Sequence, residues 1–332
     1  MGSRGASVAA VTGCAGFIGR HLVQRLVRNG AGVHGLDLNG PALREFSASL
    51  GDRRQVALLS KGDAGDPRAL RALLVGAEMV FHLAADPDVR NSSKHPYEHF
   101  DQNVMGTLRV LEGMRKNDVR RIVFPSTSTV YGDAKIVPTP EDFSPLRPIS
   151  VYGASKLACE GLLASYAGSY GFDAVALRFA NVVGPGATHG VIVDLVEKLK
   201  RDPRRLEVLG DGKQRKSYVH VDDIVAGTLA AASKAPRGFS VYNVGSNDTM
   251  LVDGIAGAVI KAMRLPNVQI VHKPAPGGRG WAGDVKVMQL SIAKLRRLGF
   301  RPKYSSRAAV EATARAVAAE RTGASPSRGA KV

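Results

Sequence analysis

Short apolar runs alternate with amphipathic stretches through the first half of the chain. The runs Val8–Val11, Val33–Leu36, Val56–Leu59, Met79–Leu83, Ile122–Phe124 and Ala174–Leu177 have the length and composition of buried strands. Between them, apolar residues recur at helical spacing near 17–29, 41–50, 67–75, 96–117 and 151–171. Repeated strand–helix units predict an α/β fold, a Rossmann-like doubly wound parallel sheet covered on both faces, with right-handed crossovers. After residue 181 the rhythm loosens, and Gly and Pro punctuate 183–187, 210–213 and 273–281. That region predicts a smaller α/β lobe of loops and short helices. The expected division is a dinucleotide-binding domain over 1–180, rejoined by a segment near 221–246, and a substrate-binding lobe over 181–320. Residues 321–332 hold too few apolar side chains to pack and read as a disordered tail.

Composition narrows the class. The 332 residues are 44% hydrophobic and 23% charged, ordinary values for a soluble globular enzyme. No apolar run approaches the roughly 18 residues of a membrane span. The first residues run straight into a strand without the regions of a signal peptide. Cys14 and Cys159 are the only cysteines. Neither has metal-ligand spacing around it, so no metal site is expected, and a reducing cytoplasm is the expected compartment. The net charge of +17 raises nucleic acid, an acidic surface or a phosphorylated ligand as partners. Lys and Arg are nevertheless scattered and lack aromatic interleaving. Their densest groups, 198–201 and Arg204–Arg205, read as the polar end of a helix. A solvated basic surface is the simpler reading, and it argues against a nucleic-acid partner.

Two features carry chemistry. The stretch 12–19, Thr-Gly-Cys-Ala-Gly-Phe-Ile-Gly, follows the first strand and opens a helix. Gly13, Gly16 and Gly19 permit the turn and let backbone N–H groups approach a pyrophosphate, while Phe17 and Ile18 anchor the helix. Asp37 ends the second strand, where a carboxylate accepts from ribose hydroxyls and repels a 2′-phosphate. Leu38 and Asn39 follow rather than an arginine, which favours NAD over NADP; a helix cap is the alternative use of Asp37 and Asn39. Second, Tyr152 and Lys156 stand four apart, on one face of a helix. An ammonium beside a phenol favours the phenolate, a proton acceptor that alcohol oxidation requires.

Together with His82–Ala85, Asn103–Thr107, Ser126–Gly132, Leu177–Pro185 and Tyr218–Asp223, these motifs resemble the extended short-chain dehydrogenase/reductase family, and within it the NAD-dependent epimerases and dehydratases of nucleotide sugars. The likeness spans about residues 7–320. Stretches 129–133, 210–218 and 278–285 resemble the UDP-glucose (UDP-galactose) 4-epimerase group of archaeal type. The resemblance implies that Asp63 and Ala64 meet the adenine, that Leu83, Ala84 and Ala85 line the cofactor cleft, and that Asn103 supports the catalytic strand. It places Asn39, Ser126 and Phe179 at the cofactor as well. Thr127 would bond the reacting substrate oxygen, Asn181 the diphosphate, Val191 the substrate, and Arg279 the pyrophosphate. Lys216 stands where many members carry arginine, giving a point charge in place of a bidentate fork.

The implied cycle is reversible oxidation at the sugar C4 with NAD tightly held and regenerated. Tyr152 takes the hydroxyl proton, and Lys156 binds the nicotinamide ribose and, with the cofactor's own positive charge, lowers the tyrosine pKa. Ser128 and Thr129, which follow Thr127, cannot supply the acid and base of a 4,6-dehydratase. The implied substrate is a UDP-hexose, with N-acetylhexosamine and hexuronate nucleotides, or a dehydratase or reductase, as alternatives. A homodimer through the helices near 96–117 and 151–171 is a further implication, with no membrane partner. From another class, a non-catalytic dinucleotide- or RNA-binding protein answers to the +17 charge.

Overall fold

The structure, a computed structural model, describes residues 7–90, 92–273, 275–281 and 283–322. Six strands occur where the apolar runs lie: β1 (Val8–Thr12), β2 (Gly32–Asp37), β3 (Ala57–Lys61), β4 (Ala77–His82), β5 (Arg121–Thr127) and β6 (Asp173–Phe179). With the strand Phe239–Val244 they form one parallel sheet, in the order Phe239–Val244, β6, β5, β4, β1, β2, β3. The chain winds outward from β1 in one direction and from β4 in the other. The reversal falls between β1 and β4, and the crevice at their carboxyl ends is where such sheets bind ligands.

Both faces of the sheet are covered, as strands with continuous apolar runs require. On one face lie α1 (Phe17–Arg28) and α2 (Gly40–Ser49), which bury Leu22, Val23, Leu26, Leu43 and Phe46. On the other lie α3 (Pro67–Leu74), α5 (Gly106–Lys116) and α6 (Val151–Tyr170), with Leu70, Leu74, Leu111, Met114 and Leu163 inside. Local chemistry sets the limits of α6. The Ser150 side chain accepts from Gly153 N–H at 3.1 Å, and Gly171, at φ +67°, ends the helix in the left-handed region.

The expected helix over 96–117 is not continuous. It comprises α4 (Pro96–Phe100), one π-type turn at Asp101–Met105, and α5. A third core gathers α7 (Val191–Arg201), the helices Val252–Ala262 and Ser306–Thr322, and the paired strands Arg205–Leu209 and Gln269–Lys273. The basic group expected at one helix end divides. Residues 198–201 close α7, whereas Arg205 opens a strand because Asp202 turns the chain by accepting from the Arg204 and Arg205 N–H groups. Arg321, expected in a loose tail, belongs to the last helix and reaches Glu197 at 2.5 Å. The remainder of that tail, 323–332, lies outside the described residues.

A buried polar network ties the carboxyl end of the sheet together. Glu160 on α6 and Arg178 on β6 are each about 4% exposed, and they join through Arg178 Nη2 to Glu160 Oε2 at 2.7 Å and Nε to Oε1 at 3.0 Å. Ser126 Oγ donates to the same Glu160 at 2.5 Å. Arg178 also donates to the Tyr131 hydroxyl at 2.9 Å, which donates to Asn243 at 2.8 Å. Removing one member of a buried pair leaves the other charge unpaired, at about 3–5 kcal/mol. Arg178→Met should therefore lower the unfolding free energy by about that amount in urea titration, and Arg178→Met with Glu160→Leu should recover most of it. A loss under about 1 kcal/mol in the single variant would show that the pair is unimportant.

Candidate active site

Residues four apart on α6 face the end of β5. Tyr152, Lys156 and Glu160 form one stripe, and they meet Thr127, the Pro125 carbonyl and Ser126 in turn. Lys156 Nζ donates to Pro125 O at 2.9 Å and lies 4.4 Å from the Phe124 ring centroid. Thr127, 8% exposed, accepts at its hydroxyl oxygen from Thr129 N–H at 3.2 Å and from the Thr129 hydroxyl at 3.1 Å. With both lone pairs engaged, its proton is free for the Tyr152 oxygen. A hydroxyl in that place favours the phenolate, and Thr127 acts to lower the Tyr152 pKa.

Burial nevertheless dominates both titrations. It pushes Tyr152 up to about 12, against Thr127, with Cys159 and Asp86 adding to the rise. It pulls Lys156 down to about 8, opposed by Cys159 and Glu160. The expectation that Lys156 lowers the tyrosine pKa is thus not met by the protein alone. The ammonium is directed at a carbonyl, and the phenol lacks a cation strong enough to offset its desolvation.

The glycine loop fits a dinucleotide. At Gly13, φ is +67° and an added Cβ would sit 2.7 Å from Ala84 N. At Gly19 it would overlap the Gly13 carbonyl oxygen. The first turn of α1 has no side-chain cap and no acidic residue, so its N–H groups face outward unmet and uncontested. Asp37 shapes the loop: Oδ2 accepts from Ala15 N–H and Oδ1 from Asn39 N–H, each at 2.9 Å. Cys14 is inert, fully buried and pushed up to about 12 by burial and by Asp37. Leu83, Ala84 and Ala85 follow β4 beside this loop, with Leu83 N bonded to Thr12 O at 3.1 Å and Ala84 N to Thr12 Oγ1 at 3.2 Å. Phe17 and Ile18 are partly buried at the start of α1; Phe179 ends β6 opposite Thr127, and Ala64 is buried.

Other candidates have prior engagements. Asn39 caps α2 by accepting from Ala42 N–H at 3.1 Å, and exposed Asp63 closes a turn onto Gly65 N–H at 2.7 Å. The Ser126 hydroxyl is committed to Glu160, which leaves its backbone as the part that faces the cofactor strand end. Asn103, in the π-type turn, binds the Asp86 backbone on both sides and donates to Ser155 on α6 at 3.1 Å. Asn181 donates to Ser217 O at 3.1 Å, and Val191 opens α7 after Gly190. Arg279 is bound to Asp133 at 2.8 Å and to the Asp284 carbonyl, so it would have to exchange partners to meet a pyrophosphate. Lys216 pairs with Asp284 at 2.5 Å and lies 5.3 Å from the Trp281 ring, which Arg90 also covers at 4.6 Å.

Sequence reading passed over Glu160, Asp86, His99, Arg90 and Trp281. Glu160 had a signal, a carboxylate continuing the Tyr152–Lys156 stripe by one more turn. The others meet the site only through tertiary contacts. Among the described residues no group of His, Cys, Asp and Glu could hold a metal ion.

The family model described as the NAD dependent epimerase/dehydratase family matches residues 9–245. The chain belongs to that family. It is an enzyme, and its cofactor is NAD. A UDP-glucose 4-epimerase of Mycolicibacterium smegmatis is 34% identical over 304 residues, covering 89% of this chain and 93% of that protein. A crystal structure of a UDP-galactose 4-epimerase superposes with a TM-score of 0.83 at 42% identity, covering 94% and 99%. The structure of MoeE5 in complex with UDP-glucuronic acid and NAD superposes with a TM-score of 0.82 at 31% identity, covering 96% and 100%.

Gly13→Ala should cost about 1–2 kcal/mol from its left-handed backbone alone, and displace Leu83 and Ala84 from the cleft. Calorimetric titration should show NAD affinity lowered roughly tenfold or more; unchanged affinity would place the cofactor elsewhere.

Proposed function

We propose that the protein is a UDP-sugar 4-epimerase whose preferred pair is UDP-glucose and UDP-galactose. The observation that carries the reading is the Thr127 hydroxyl beside Tyr152, where it favours the phenolate, with Lys156 one turn away, at the strand ends beside the glycine loop. The names of the relatives support the substrate class. A UDP-glucuronate 4-epimerase of Thermodesulfobacterium geofontis, 31% identical over 241 residues, keeps a uronate substrate as the second reading. Arg90, close to the Lys216–Trp281 group but paired with Asp194 at 3.1 Å, would be the cation for a uronate only by exchanging that partner.

Tyr152 accepts the C4 hydroxyl proton and later returns it. Thr127 donates to the phenolate oxygen and steadies the oxygen that exchanges the proton. Lys156, fixed by Pro125 O, presents its remaining N–H groups to the cofactor ribose. Asp37 holds the adenosine ribose and disfavours a 2′-phosphate. NAD, when bound, supplies the redox chemistry at C4 and the positive charge that the buried phenol lacks. Lys216, Asn181 and Arg279 hold the diphosphate, with Asp284 and Asp133 releasing their cations to it. Ser128 and Thr129 provide no acid–base pair beside Thr127, so water is not eliminated from the keto sugar.

The protein acts as a homodimer in this reading. Tyr97 on α4 is 88% exposed, Phe100 on the same helix and Met105 in the π-type turn are also exposed, and Tyr170 is exposed at the far end of α6, apolar side chains of the kind that pairing covers.

Tyr152→Phe and Lys156→Met should each reduce turnover of UDP-galactose by roughly a hundredfold or more while the fold survives. Near-wild-type turnover in either variant contradicts the assignment. A panel of UDP-sugars, followed by NMR at the C4 configuration, separates the hexose from the uronate reading. Light scattering should give twice the 35.1 kDa of the chain; a monomeric mass contradicts the dimer.

A further inference from the structure

The segment after β4 forms one wall of the Tyr152 site. Ser92 accepts from Tyr152 N–H at 3.2 Å. His99 on α4 lies against the Tyr152 ring, centroids 5.8 Å apart and planes at 76°, an edge-to-face contact. His99 is 2% exposed. Its Nδ1 is 3.2 Å from Asp86 Oδ2, and its Nε2 is buried without a hydrogen-bond partner among the described residues. An unpaired buried polar nitrogen carries a desolvation cost, so simple packing does not account for an imidazole there. Asp86 is itself fixed. Its N–H and C=O bond the Asn103 side chain at 2.8 and 3.2 Å, and its Oδ1 accepts from Asp88 N–H at 2.9 Å. Oδ2 is thereby aimed at the histidine.

We propose that His99, held by Asp86, is a positioning residue for Tyr152, which keeps the phenol ring directed at Thr127 and offsets the Asp86 charge when the phenolate forms. The inference rests on the reading of Tyr152 as the base. The groups around Tyr152 are Thr127 from β5, Lys156 and Cys159 from its own helix, Asp86 from the β4 loop and His99 from α4. Thr127 favours the phenolate, and the Lys156 ammonium is turned to Pro125 O. After burial, Cys159 and Asp86 oppose it. Phenolate and carboxylate repel in a space with little water. The His99 Nδ1–H, 3.2 Å from Asp86 Oδ2, draws that carboxylate's charge to itself and weakens the repulsion. The other titratable residues at α4, His95 at its N-cap, Tyr97 and Glu98, are exposed, and His95 and Glu98 lie 4.0 Å from each other.

The test is an ultraviolet titration of the tyrosinate in NAD-loaded protein, taken as the difference from Tyr152→Phe, together with the pH profile of kcat on UDP-galactose. His99→Phe keeps an aromatic edge on Tyr152 but leaves Asp86 uncompensated. Its titration midpoint and acid limb should move up by about one pH unit, with kcat at pH 7 about tenfold lower and KM little changed. His99→Leu, which likewise removes the donor to Asp86, should behave alike, and it decides the matter if His99→Phe does not fold. Asp86→Asn combined with His99→Phe should return the midpoint to near the wild-type position. A folded variant with an unmoved midpoint overturns the proposal, as does a fall in kcat without a shift, which would mean packing alone. Loss of the Tyr152-dependent titration in the wild type would instead overturn the base reading.

Discussion

The site depends on the laying of α6 across the carboxyl end of β5. Three side chains at helical spacing, Tyr152, Lys156 and Glu160, must reach three consecutive residues of one strand. A helix advances about 6 Å between such positions and a strand about 3.3 Å per residue, so the match holds only for a fixed crossing. Glu160 pins that crossing from below through Ser126 and Arg178, both in the sheet. Asn103 pins it from the side through Ser155. Tyr152, Thr127 and Lys156 are therefore held in place by Glu160, Arg178 and Asn103.

The same packing gives the base its difficulty. A fully buried phenol resists ionisation, and the nearby lysine is itself drawn toward its neutral form by burial. With Tyr152 in the proposed role, the protein presents a base that is poor by itself and is completed by the charge of its cofactor. An acceptor of this kind is active only when the oxidant is in place, which suits a reaction in which the same proton leaves and returns.

Much of this was legible in the amino-acid sequence. The six strands of the first half declared themselves by apolar runs, because strands buried on both faces cannot alternate. Gly13 and Gly19 were legible because only glycine tolerates the contacts with Ala84 N and the Gly13 carbonyl oxygen. Tyr152 and Lys156 were legible because one helical turn joins them. What was not legible depends on contacts between distant segments. The π-type turn at Asp101–Met105 interrupts a pattern that reads as one helix. The ties of Arg279 to Asp133 and of Lys216 to Asp284 span 146 and 68 residues, and no local spacing announces them. His99 resembles any helical histidine until the fold brings Asp86 and Tyr152 to it.

The account stands on Tyr152 as a buried base that its cofactor makes competent. The most direct measurement compares the Tyr152 titration in cofactor-free and NAD-loaded protein, by ultraviolet difference against Tyr152→Phe. Without NAD the phenol should resist ionisation up to about pH 12. With NAD bound, the midpoint should fall by about two units or more toward neutrality. The same midpoint in both forms would contradict the account.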